Sequence, residues 1–125
     1  MLDPDATLIL AGELAARPDE PAQRAAIGRA YYAVAHRACA IALAAGIFAE
    51  RPNLHAVWGK MAALQGQSGW SAVAYGGFDL KDMRIGADYE IAYPGDLAAA
   101  SQEAVALARE LIARMEALPP PGGQP

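Results

Sequence analysis

The stretch RAAIGRAYYAVAHRACAIAL, Arg24 to Leu43, decides how the rest of the chain is read. Eight of its twenty residues are alanine, the strongest helix former, so the run predicts a long, closely packed helix. Against that background it carries two adjacent tyrosines, an arginine three residues before the second of them and a histidine four residues after it. Advancing 100° per residue divides the helix into two faces. Ile27, Tyr31, Val34, Ala38 and Ile41 share one direction and predict the core face. Arg29, Tyr32, Ala33, His36, Ala40 and Leu43 share the other. Tyr32 and His36 are surface neighbours at i, i+4, while Arg29 and His36 lie about 10 Å apart along one line.

Working outward, DPDATLILAGELAARP predicts a first helix with Asp3 as cap, Pro4 in its first turn and Pro18 as its stop. Pro21 opens the second helix, which is expected to end at Gly46. RPNLHAVWGKMAAL predicts a third helix capped by Asn53, with Leu54, Val57, Trp58, Met61 and Leu64 as its apolar stripe. Residues 65–77, with their glycines, serines and scattered aromatics, read as a loop with room for one helical turn, and its thirteen residues suggest function or mobility. DLKDMRIGADYEIAY predicts a fourth helix capped by Asp79 and weakened at Gly86. Pro94 and Gly95 break the chain, and Asp96 caps a last helix to about Leu118 with a seam of Leu97, Ala100, Ala104, Leu107, Leu111 and Leu118. With no strand and no repeat, the expectation is an all-α, up-and-down bundle of four main helices plus a short extra helix over residues 1–118. PPPGGQP, 119–125, is expected to be a disordered tail.

At 125 residues the chain is expected to form one domain with an ordinary core. The net charge of −4 argues against non-specific binding of nucleic acid, and no contact with DNA is expected. Two of the ten basic residues are lysines, Lys60 and Lys81; the others are arginines, suited to local, bidentate contacts. Any binding of RNA would therefore be confined to an arginine-lined pocket. One cysteine, Cys39, precludes an intrachain disulfide. Neither a basic leader followed by an apolar core nor a membrane-length apolar run is visible, so a cytoplasmic location is expected. Two histidines, one cysteine and scattered carboxylates show no metal-ligand spacing, and no phosphate loop or nucleophile elbow occurs. No cofactor is expected.

Arg29, Tyr32 and His36 invite two readings. Imidazole titrates near neutrality and serves as general base or acid, and a guanidinium offsets charge building on a phosphate, so the set suits phosphodiester cleavage of RNA, which carries its own 2′-hydroxyl nucleophile. Equally, an arginine and a tyrosine on an alanine face can satisfy a neighbouring helix. Exposure separates the two, because a site needs an open groove and a structural cluster needs to be sealed. His55, at the start of the third helix, is either an accessory base held neutral there or a core-edge residue.

AAIGRAYYAVAH on the second helix, NLHAVW on the third and RIGADYE on the fourth, in that order over about residues 5–118, resemble the HEPN domain superfamily. The small stand-alone bacterial and archaeal set, with RxAYYAxFH-like and RxxADY elements, is the nearest type. Ala35 departs from it where an aromatic is usual. The resemblance implies a four-helix bundle that pairs as a homodimer. It also implies a role in toxin–antitoxin or anti-phage systems, with a nucleotidyltransferase-fold antitoxin as a partner. Many members are metal-independent endoribonucleases with an R-x(4–6)-H motif; others only bind RNA, nucleotides or proteins. Here Arg29 and His36 form such a pair and would be catalytic, while Arg51 and His55 are too close together. Chance alone supplies about 0.4 such matches in a chain of this composition. Superfamily ribonucleases carry the motif on the later helix, but there Arg84 is followed by Asp88, a spacing that suits a salt bridge. Tyr32, Arg84, Asp88 and Tyr89 complete the expected polar set as binding residues. The rival expectation is a non-catalytic binding or dimerisation module.

Overall fold

Three aspartates set where helices begin. Asp3 accepts the amide of Asp5 and starts α1 (Pro4–Ala15). Asp19 accepts the amide of Ala22 and starts α2 (Glu20–Ala44), with Pro21 in its first turn. Asp96 accepts the amide of Ala99 and starts the last helix, Leu97–Ala117. Each side-chain oxygen satisfies an amide that the helix cannot pair internally. In this computed structural model, residues 3–48, 53–64 and 67–122 are described; Arg51, Gln65 and Gly66 of the expected loop, and 123–125 of the expected tail lie outside that set. Every regular element among the described residues is helical.

α2 ends as Gly46 predicted. Gly46 has φ 79°, its amide bonds to the carbonyl of Leu43, and the amide of Ile47 bonds to that of Ala42. That double closure satisfies two carbonyls at the helix terminus, and only glycine takes the left-handed turn without strain. Asn53 caps a 3-10 turn, Leu54–Ala56, through the amide of His55, and the turn continues as α3 (Val57–Ala62).

The largest departure from the sequence reading is the fourth helix. It runs as α4 from Ser68 to Tyr89, so the expected loop is mostly helix, Asp79 is not a cap, and the helix stops before Tyr93. Its glycines mark close packing rather than turns. A Cβ on Gly77 would lie 2.4–2.6 Å from the Trp58 ring, one on Gly76 2.5 Å from a Leu111 methyl, and one on Gly69 2.6 Å from a Leu118 methyl. α4 thus lies tightly against α3 and against α5 (Leu97–Ala117). The helix-propensity cost of each glycine, about 1 kcal/mol, is offset by the burial of Trp58, Trp70 and Leu111, each at least 98% buried.

The segment after α5, expected to be unstructured, docks through residues 119–122. The Trp70 indole donates to the carbonyl of Pro119 at 2.7 Å, the amide of Gly122 donates to Gln67 Oε1 at 2.9 Å, and Pro121 is fully buried. Consecutive prolines have no amide hydrogens to leave unpaired, so this backbone packs at little desolvation cost.

α2 is the central helix. Ala26, Ile27, Ala30, Tyr31, Val34 and Ala38 are wholly buried, and it contacts every other helix. Its contacts with α4 run in opposite order, Arg24 reaching Ala87 and Glu90 while Tyr32 meets Arg84, so the two are antiparallel. Gly69–Leu118 and Gly76–Leu111 give the same sense for α4 and α5. No helix among the described residues is long and apolar enough to cross a membrane.

Two glycine substitutions test this packing in opposite directions. Gly77→Ala, which meets a rigid indole, is expected to destabilise the fold by about 1–3 kcal/mol. Gly59→Ala, in α3, where an added Cβ meets no other described side chain or helix within 4 Å, is expected to stabilise by up to about 1 kcal/mol. Urea unfolding of the two variants beside wild type reads both; a neutral Gly77→Ala would refute the close approach.

Candidate functional site

The face of α2 turned away from the core carries Pro21, Ala25, Arg29, Tyr32, His36, Ala40 and Leu43, all exposed or half-buried. They recur at intervals of four and three and form one stripe along the whole helix. Near its middle, Arg29, Tyr32 and His36 line an open groove of ≈ 340 Å³, closed on one side by Thr7 and Leu10 of α1. Arg29 is exposed and His36 half-buried, and the rings of Tyr32 and His36 lie 6.3 Å apart. The groove opens between α1 and α2, so Arg29 and His36 are not sealed against α4.

Behind the groove lies a second, closed arrangement. Arg84 of α4 is 9% exposed. Its guanidinium carbon lies 5.5 Å from the ring centroid of Tyr31 and 5.7 Å from that of Tyr32. Its Nη1 donates to Asp88 Oδ2 at 3.1 Å and to the hydroxyl of Tyr32 at 3.3 Å. Its buried Nε has no hydrogen-bond partner among the described residues, so the Asp88 carboxylate, the Tyr32 hydroxyl and the two aromatic rings together offset taking this cation out of water. Arg84 and Asp88 therefore pair at i, i+4 as their spacing predicted, and they reach the groove only through Tyr32, whose ring has one side on each arrangement.

A third cluster joins α2 to α3. Trp58 Nε1 donates to the Tyr31 hydroxyl at 3.1 Å, and that hydroxyl lies 2.6 Å from His55 Nδ1. The phenol oxygen accepts from the indole, and the Nε2–H tautomer of His55 is the one that also gives the buried phenol proton an acceptor, at Nδ1. Burial pushes the Tyr31 phenol above its ordinary pKa, which keeps that proton on the oxygen. His55 is pushed below the ordinary histidine value by burial, and further by the positive charges of Arg84 and Lys81. His55 is thus a neutral acceptor that holds Tyr31, and it faces a different cluster from His36.

Of the six residues singled out in the sequence, Arg29, Tyr32 and His36 share the groove, and Arg84 and Asp88 support it from behind. Tyr89 stands apart, 72% exposed on the outer side of α4. The helical wheel of α2 could not show that α1 supplies the other wall, since Thr7 and Leu10 meet the groove only through tertiary packing. Arg24 also carried no sequence signal. Its guanidinium donates to the carbonyls of Ala87, Glu90 and Ile91 and closes the C-terminus of α4. Among the described residues no three histidine, cysteine or carboxylate side chains are placed to hold a metal ion.

The His55 cluster has a pH signature. The folded group binds its proton less tightly than the unfolded one, so its stabilising contribution is complete above about pH 6.5 and is lost as pH falls below it, towards the folded pKa. His55→Asn keeps an acceptor for Tyr31 and does not titrate, so the difference in unfolding free energy between wild type and variant is expected to shrink between about pH 7 and pH 5. A pH-independent difference would refute the neutral acceptor. Comparison with protein-family models, curated proteins and solved structures finds no match for this chain.

Proposed function

We propose that this chain is a HEPN-like helical module whose Arg29–Tyr32–His36 groove acts on RNA, as part of a toxin–antitoxin or anti-phage system. The observation that carries the reading is the openness of that groove: exposed Arg29 and half-buried His36 both line it beside α1, while the arginine of α4 is closed on its own aspartate. Arg29 can hold a phosphate, and the exposed part of the Tyr32 ring offers a base a stacking surface. His36 takes the proton of a 2′-hydroxyl, the oxygen attacks the adjacent phosphorus, and the 5′-oxygen departs with a proton returned from an imidazolium or from water. The products are a 2′,3′-cyclic phosphate and a 5′-hydroxyl, with the net exchange of protons balanced.

One groove holds a single imidazole, whereas this reaction uses both a base and an acid. A homodimer formed through the α2 stripe would bring two grooves together. The exposed Leu10 and Leu43 at either side of the polar centre support that pairing. A nucleotidyltransferase-fold antitoxin remains the partner class that the family resemblance suggests. The non-catalytic reading is favoured by one feature, the commitment of Arg84 to Asp88 and Tyr32 rather than to an open site.

Incubation of a mixed single-stranded RNA with the purified protein in EDTA tests the proposal. Cleavage leaving cyclic phosphate ends is expected, reduced at least about a hundredfold by His36→Ala and by Arg29→Ala, both with unchanged melting. Binding without cleavage, weakened by Arg29→Ala alone, would assign the groove to the non-catalytic class. Neither binding nor cleavage would sink the RNA reading.

A further inference from the structure

The outer face of α4 carries exposed aromatic, acidic and apolar side chains, and at Gly86 the Tyr93 ring lies 3.7 Å from the position a Cβ would take. Ala72, Tyr75, Asp79, Asp82, Gly86 and Tyr89 recur at three- and four-residue intervals, on the side opposite buried Val73, Leu80 and Arg84. Tyr75 is 63% exposed and Tyr89 72%, and just past the helix Ile91 is 99% exposed. Ile85, at the edge of the same ridge, is also exposed. Neither phenol makes a hydrogen bond among the described residues, and neither Asp79 nor Asp82 has an ion-pair partner there. Two unpaired carboxylates thus stand between two outward-facing aromatic rings, along fourteen residues of helix or about 21 Å.

The apolar end of this ridge is held rigidly. Arg24 pins the carbonyls on both sides of the last turn, including that of Ile91, and its guanidinium also lies 6.0 Å from the centre of the Tyr93 ring. A fully exposed isoleucine on a fixed backbone loses little conformational freedom on being covered, which is the property of an interface anchor. We infer that the outer face of α4 is a docking surface for a cationic amphipathic helix of a partner protein, its arginines or lysines on Asp79 and Asp82 and over the rings of Tyr75 and Tyr89, its apolar side on Ile85 and Ile91. The charge is complementary, and aromatic rings beside carboxylates recognise guanidinium and ammonium groups. The ridge is separate from the α1–α2 groove, so both can be engaged at once.

The test uses the full chain and a fluorescent peptide of about 18 residues, a length of some 27 Å as a helix, with Leu on one face and Arg and Lys on the other. Its controls are a scrambled peptide of the same composition and one with Glu in place of each basic residue. Anisotropy is expected to show the helical peptide binding at least tenfold more tightly than either control. Binding should fall at least tenfold in Asp79→Lys/Asp82→Lys and in Tyr75→Ser/Tyr89→Ser, and should be unchanged in Arg29→Ala. Because all four ridge residues are exposed, the variants should keep the wild-type melting temperature. Equal binding of the scrambled peptide, no binding at all, or full binding by both double variants would overturn the proposal. So would a wild-type dimer that either double variant converts to monomer, since a second copy would then occupy the ridge.

Discussion

The bonded set of Tyr31, Trp58 and His55 is the constraint on which the rest of the structure depends. One phenolic oxygen ties the middle of the central helix to the first turns after the α2–α3 connection. The indole it fixes lies flat against α4, where a side chain on Gly77 would collide with it. The Tyr31 ring in turn supports the guanidinium of Arg84. A buried donor left without its acceptor costs about 1–3 kcal/mol, so indole, phenol and imidazole hold one another to a single geometry. Three helices meet at that point, and the positions of Arg84 and Tyr32 follow from it.

The two faces of α2 therefore divide the labour. One face is sunk in the core and uses its tyrosine to organise α3 and α4. The other lies along the surface and uses its tyrosine as a partition, with Arg84 on one side and the open groove on the other. The doubled tyrosine answers two structural needs at once, since adjacent residues on a helix point about 100° apart. One serves the interior and its neighbour the boundary.

Much of this was legible in the sequence where short-range rules apply. The starts of α1 and α5, Pro21 in the first turn of α2, the glycine stop of α2 and most of the two faces of the central helix follow from capping chemistry and a period of 3.6 residues. Asp19, read as connection, instead caps α2, and Ala33, placed on the outer face, is wholly buried. The first half of α4 was not legible. Gly69, Gly76 and Gly77 look like turn residues because sequence does not reveal that an indole and two leucines occupy the space their side chains would take. The docking of Pro119–Gly122 was hidden for the same reason, its partners Trp70 and Gln67 lying in the misread segment. In the site, the residues of α2 could be grouped by their spacing, but their relation to α1 and the separate role of His55 arise from tertiary contact.

The clamp made by Arg24 makes the end of one helix depend on the placement of another. Its three bonds to backbone carbonyls span 63 to 67 positions of sequence, more than half the chain. Contacts of that separation close a long loop and are held only by the tertiary fold, not by the helix itself. The carbonyls that end α4 are therefore paired only where α2 lies alongside it. The end of α4 that carries Arg84, Asp88 and Tyr89 thus has its last free carbonyls satisfied by a side chain of the central helix, so its closure depends on the packing of α2 against it.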